Sequence, residues 1–177
     1  MRENGNSGMD PENVLKGRMA ETLVDELLRS ARNKVYRFGY EAILQNLTQI
    51  ENAFDGETEV GQQIRAIPDF IILNQSGKPF FVEVKFRSHP EWYRYEREIN
   101  VLRKIEVFWK AKVILVAPRN PYFTIARPPY FDEQGMPRFV RLEYDQDLNV
   151  TGEKLEEFDS LVQRYLVKEV ERLATGK

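Results

Sequence analysis

Apolar residues recur along this chain in two rhythms, and the change between them divides it. From Leu15 the apolar positions step by four through Met19, Leu23 and Leu27, and Ala20, Val24, Leu28 and Ala31 widen the stripe. That spacing predicts an amphipathic helix. Its start is marked by Asp10-Pro11-Glu12: a capping acid, a proline at the first helical position and an acid in the first turn. Tyr40, Ile43, Leu44, Leu47 and Ile50 predict a second helix ending near Gly56. Then the period shortens. Ile67 to Leu73 is a compact β-branched run, Asn74-Gln75-Ser76-Gly77 supplies turn residues, and Phe80 to Phe86 returns as the second strand of a hairpin.

Beyond the hairpin, Ile99, Leu102, Ile105 and Trp109 predict a helix within Glu91 to Lys110, and Lys112 to Ala117 reads as a third, buried strand. Pro118 to Pro137 holds five of the nine prolines and reads as an irregular surface excursion with short extended pieces. Alternation over Phe139 to Tyr144 predicts an edge strand. Leu155, Phe158, Val162, Tyr165, Leu166 and Val170 predict a last helix from about Glu153 to Leu173. The order implies one α/β domain over residues 10–177, after a flexible polar segment at 1–9.

Composition narrows the chemistry. With 177 residues, 42% hydrophobic and 31% charged, the chain has a globular balance. A net charge of −2 means that the chain as a whole is not a basic glove for nucleic acid. A local face can still be basic, and nine basic residues stand against five acidic ones between Lys78 and Lys112. The chain has no cysteine, which removes disulfides, a thiolate nucleophile, cysteine-ligated zinc and iron–sulfur clusters. Its single histidine, His89, rules out a multi-histidine metal site and reads as a residue of a helix-start loop. Residues 1–9 carry no apolar leader and no run is long enough to span a bilayer, so a cytoplasmic protein without a membrane partner is expected.

The hairpin carries the candidate chemistry. Side chains alternate across a strand, so Glu83 and Lys85 share one face while Val82, Val84 and Phe86 take the other. The spacing lets Asp69, on the preceding strand, lie beside Glu83. Charges on strands that otherwise read as buried need partners. Two adjacent carboxylates repel, and a divalent cation between them removes the repulsion; oxygen-only ligands point to Mg²⁺ or Mn²⁺. Lys85 would then orient a nucleophile or offset phosphate charge. The plainer alternative is a buried ion pair, with Lys85 matched to either acid.

Pro68-Asp69 followed by Glu83-Val84-Lys85 resembles the motif of the PD-(D/E)xK nuclease superfamily. The resemblance implies a restriction-endonuclease-like α/β fold, a central mixed sheet flanked by helices with an αβββαβ core. It further implies that Asp69 and Glu83 hold the metal, helped by the Val84 carbonyl, and that Lys85 assists attack of water on a phosphodiester. A first-helix carboxylate commonly joins them, and here Glu21 is the candidate. On the helical wheel Glu21 falls at the margin of the apolar stripe, with Asp25 and Glu26 nearer the charged side. Lys16-Gly17-Arg18-Met19-Ala20-Glu21 also resembles the Gly-x-x-x-Glu opening of archaeal-type Holliday junction resolvases, and Val35-Tyr36-Arg37 partly echoes the passage that follows it there. The Gln-x-x-x-Tyr helix motif of the exonuclease branch is missing.

Phosphate contacts are expected from Arg87, next on the face after Lys85, and from Arg65, Arg18 and Lys16. Trp92, Tyr93 and Tyr95 suit core packing better than base stacking. The function expected is a Mg²⁺-dependent nuclease hydrolysing phosphodiester bonds of DNA. The alternative is a catalytically inactive nucleic-acid-binding or assembly subunit on the same fold. A single site cuts one strand per event, so cutting both strands would call for a homodimer. Duplex, branched and single-stranded DNA, and RNA, remain open as substrates.

Overall fold

The computed structural model describes residues 11–39 and 56–167. The segment 1–9, the predicted helix from Tyr40 to Ile50 and the end of the last helix lie outside the described residues. Helix α1 spans Pro11–Ser30, β1 Lys34–Arg37, α2 Glu59–Arg65, β2 Phe70–Leu73 and β3 Pro79–Phe86. After a 3-10 turn at Trp92–Arg94 come α3 (Glu96–Trp109), β4 (Lys112–Val116), β5 (Phe123–Ala126) and β6 (Val140–Arg141). A second 3-10 turn at Leu142–Tyr144 leads to α4 (Gly152–Val162), which runs into a π-helical turn at Gln163–Val167.

Six strands form one mixed sheet in the order β1-β2-β3-β4-β5-β6. β3 and β4 are parallel and the other neighbours antiparallel. A parallel pair needs a crossover, and α3 provides it. Val82 and Val84 of β3 and Ile114 and Val116 of β4, with Phe70, Ile72 and Ile125, pack under α1 and α4 with Ala20, Val24, Leu27, Leu28, Leu155 and Phe158. On the other face Val113, Leu115 and Ala126 pack with Leu102 and Ile105 of α3, with Trp92 and with Tyr130. The sheet is therefore covered on both sides. This explains why β4 reads as an unbroken apolar run after Lys112.

The hairpin turn follows from its side chains. Gly77 takes a left-handed φ of 78°, and Asn74 Oδ1 accepts hydrogen bonds from Ser76 N (3.0 Å) and Lys78 N (2.9 Å). The predicted helix from Glu91 divides, because Tyr95 is extended and separates the 3-10 turn from α3. The proline-rich excursion contains β5, a strand with three of four residues buried. Prolines flank β5 and leave its ladder hydrogen bonds intact. The alternating stretch from Phe139 pairs over only two residues and then turns into the 3-10 helix, while Phe139 itself packs against Trp92.

Two elements have weak signals in the sequence. β1 buries a single residue, so no alternation marks it. α2 is a seven-residue helix capped by Thr58, whose Oγ1 accepts from Gly61 N at 3.1 Å. No helix among the described residues is long and apolar enough to cross a membrane.

Candidate active site

Asp69 precedes β2 and is fixed through its own backbone. Its carbonyl accepts from the N–H groups of Phe38 (2.8 Å) and Gly39 (3.0 Å), which joins it to the end of β1. β2 pairs with β3 so that Phe70 faces Val82, and one further step of that register sets Asp69 opposite Glu83. Asp69 Oδ2 accepts from Val84 N–H at 2.7 Å, so Val84 enters the site through its amide. The carboxylate is thus held against β3 and not free to swing into solvent.

Glu83 is 5% exposed. Its Oε1 accepts from the Lys85 ammonium on the same face of the strand, two residues on. Its Oε2 is buried and has no hydrogen-bond partner among the described residues. An uncompensated buried carboxylate oxygen is costly, and such an atom is uncommon in a settled core. Burial pushes the Asp69 carboxyl well above its ordinary range; Glu83 adds to that, Lys85 opposes it, and Glu21 adds a smaller push. For Lys85, burial acts downward, but the carboxylates of Glu83 and Asp69 outweigh it and raise its proton affinity. Both shifts run the same way: Asp69 holds its proton more tightly than a free carboxyl, and Lys85 more tightly than a free amine.

Glu21 is half-buried on α1, and its charge reaches Asp69. Asp25, expected on the charged side of that helix, is instead buried. It pairs with Arg29 at 2.5 Å and lies 3.6 Å from Arg37 of β1, because α1 packs against the start of the sheet. Arg87 does follow Lys85 along the face, but its guanidinium is engaged with Glu98 in the first turn of α3 and with the Phe86 carbonyl (2.8 Å). Burial lowers its proton affinity and Glu98 restores part of it. Arg87 thereby ties the end of β3 to the crossover helix. Lys16 is buried beside Glu12, whereas Arg18 and Arg65 are exposed, Arg65 lying 3.7 Å from Glu57.

Asp69 and Glu83 are the pair that could share a cation. No group of three or more Asp, Glu or His side chains close enough to hold a metal occurs among the described residues. Two carboxylates are nonetheless a common protein contribution to a Mg²⁺ site, where waters and substrate phosphates complete the shell. The unpartnered Glu83 Oε2 and the all-oxygen donor set fit a hard divalent ion.

A residue of the fold escaped the sequence reading. Lys112, the first residue of β4, is buried with Asp145 (2.8 Å) and Asp147 (2.8 Å) and stands 4.3 Å from the centre of the Phe80 ring. The available signal was a lysine opening an otherwise apolar strand, with Asp-x-Asp on the far side of the excursion. No family model, curated protein or solved structure matches the chain.

Proposed function

We propose that this protein is a metal-dependent nuclease with a restriction-endonuclease-like fold, hydrolysing phosphodiester bonds of DNA. The reading is carried by Glu83, a buried carboxylate with one oxygen left unpartnered, set opposite a second carboxylate that burial drives toward protonation. A cation between Asp69 and Glu83 relieves both defects at once. With the short helix α2 set aside as an insertion between β1 and β2, the order α1, β1, β2, β3, α3, β4, with β4 parallel to β3, suits the αβββαβ core that the motif implies.

In that mechanism Asp69 and Glu83 would hold Mg²⁺ or Mn²⁺, which would supply Lewis-acid charge at a phosphoryl oxygen and lower the pKa of water. Asp69, pinned by Val84 N–H, gives a ligand oxygen of fixed direction. Glu83 gives the free Oε2. Lys85, held protonated, donates hydrogen bonds to the attacking water or to a non-bridging phosphate oxygen and offsets charge as it develops. Glu21 raises the negative field at the site from the side of α1. Arg18 and Arg65 present exposed cations for the backbone of the nucleic acid.

A second reading has one observation in its favour. Lys85 already closes on Glu83, as it would in a structural ion pair on an inactive nucleic-acid-binding or assembly subunit. Calorimetric titration of Mn²⁺ into wild type and Glu83→Gln, beside nicking of supercoiled plasmid with and without EDTA, separates the two. The nuclease binds Mn²⁺ through Glu83 and nicks only with metal, and Glu83→Gln loses both while keeping its circular dichroism. Absence of metal binding and of nicking in wild type would overturn the proposal in favour of the structural pair.

A further inference from the structure

A cavity of about 450 Å³ opens beside the end of β5, away from the carboxylates. Glu83 and the last residue of β5, Ala126, both pair with Val113, so β4 lies between the carboxylates and the cavity, and Asp69, Glu83 and Lys85 are not among its lining residues. Arg127, Pro128, Pro129, Arg138, Tyr144 and Gln146 contribute to its walls, and Asp145 lies at its base.

The donors and acceptors around this cavity are unequally used. Asp145 Oδ1 accepts from Lys112 Nζ (2.8 Å), Asp147 N (3.0 Å) and Leu148 N (3.2 Å), and Oδ2 from Lys112 Nζ (2.9 Å) and Arg127 Nε (3.0 Å). Its carboxylate has no capacity left for a ligand. Arg127 Nη2 lies 3.3 Å from Asp147, and Nη1 has no hydrogen bond or ion pair among the described residues. The Arg138 guanidinium and the Gln146 amide have no hydrogen bond or ion pair among the described residues, and Tyr144 is 65% exposed with its hydroxyl unpaired. Among the lining residues, Arg127 and Arg138 thus stand against Asp145 alone. The wall offers cationic donors, a phenol, a side-chain amide and two proline faces, and its one carboxylate is already fully used.

We propose that this cavity binds a phosphate ester carrying a planar ring, the chemistry of a nucleotide unit. Arg138 and Arg127 Nη1 take the phosphate through charge-assisted hydrogen bonds. The Tyr144 ring and the proline faces take the base, and the volume lies in the range of small-ligand sites. The nucleotide comes either free or as one unit of a strand.

The test uses the full chain as Glu83→Gln in EDTA, so that its outcome is independent of the metal site. Adenosine 5′-monophosphate, ribose 5-phosphate and inorganic phosphate are titrated by calorimetry. The monophosphate is expected to bind at least tenfold more tightly than the other two. Arg138→Gln should weaken it about tenfold, and Tyr144→Ala should abolish its advantage over ribose 5-phosphate. Both side chains are exposed, and an unchanged melting temperature confirms the fold. A pentanucleotide that displaces the monophosphate assigns the site to a strand; one that does not assigns it to a free nucleotide. No binding of the monophosphate, equal binding of all three probes, or affinity unchanged in both variants overturns the proposal.

Discussion

At the start of β4, Lys112 is enclosed by Asp145 and Asp147, and each oxygen of Asp145 accepts at least two hydrogen bonds. On the neighbouring strand β3, one to five residues beyond Val82, which pairs with Lys112, the second buried group is left incomplete. There Glu83 keeps an unpartnered oxygen, Arg87 an unpartnered Nε, and Asp69 is driven toward its protonated form. Both groups lie in one sheet, so burial alone does not distinguish them. The difference is saturation. A cluster whose acceptors are all used has only stability to contribute, whereas an unsaturated one destabilises the empty protein and retains affinity for a cation.

The largest expected effect breaks the saturated cluster. Asp145→Ala removes the partner of a buried ammonium and also the acceptor for two backbone amides, and should cost about 3–5 kcal/mol. Glu83→Gln, at a residue equally buried, should cost the metal-free protein less, about 1–2 kcal/mol, because Asp69 stays close to Lys85 and the amide oxygen can still accept from it. Urea titrations of the two variants measure both. If Glu83→Gln proves the more damaging, the two clusters are alike and the contrast fails.

The pH dependence should have opposite signs at the two ends. Asp69 binds its proton more tightly in the folded chain, so its contribution to stability is full below its ordinary value of 3.8 and is lost as pH rises through the elevated one. Asp147 is depressed, first by its hydrogen bond from Lys112, so its contribution is present above 3.8 and is lost as pH falls through the lowered value. Melting curves without metal should show Asp69→Asn removing part of the decline on the alkaline side, and Asp147→Asn removing part of the acid loss. Mn²⁺ should stabilise wild type more as pH rises, because it competes with the Asp69 proton. A gain from Mn²⁺ independent of pH would separate Asp69 from the metal.

How legible each end was in the sequence follows the range of its contacts. The hairpin is local: Pro68-Asp69, the Asn74 to Gly77 turn and Glu83 to Lys85 fall within eighteen consecutive residues, and strand periodicity is enough to put Glu83 and Lys85 on one face. The partner of Arg87 was not legible, since Glu98 belongs to a helix whose docking angle no spacing gives. Asp25 was misplaced for the same reason, because β1, with one buried residue, left no pattern to show what α1 packs against. Lys112 meets Asp145 across 33 residues that contain the proline-rich excursion, and β5 within it is only four residues long, with Thr124 interrupting its apolar character. Long-range pairing of charges is decided by the folded sheet, not by a periodicity.

The smallest effect tests whether Lys112 alone holds the saturated cluster. Arg127 reaches Asp145 at 3.0 Å and Asp147 at 3.3 Å, yet half of its side chain (51%) is exposed. A guanidinium so placed is screened by water and salt, and both aspartates keep Lys112 when it is removed. Arg127→Met preserves the stem that packs along the cavity wall. Its cost should be about 0.2–1 kcal/mol and should shrink further in molar salt. The same substitution in a Lys112→Met background should cost more, because Arg127 would then be the remaining cationic partner of the almost fully buried Asp145, while Asp147 keeps Lys78 at 3.6 Å. A double-mutant cycle by urea denaturation reads this directly. Equal costs in the two backgrounds would mean that the arginine and the lysine act independently and that the cluster is two separate ion pairs.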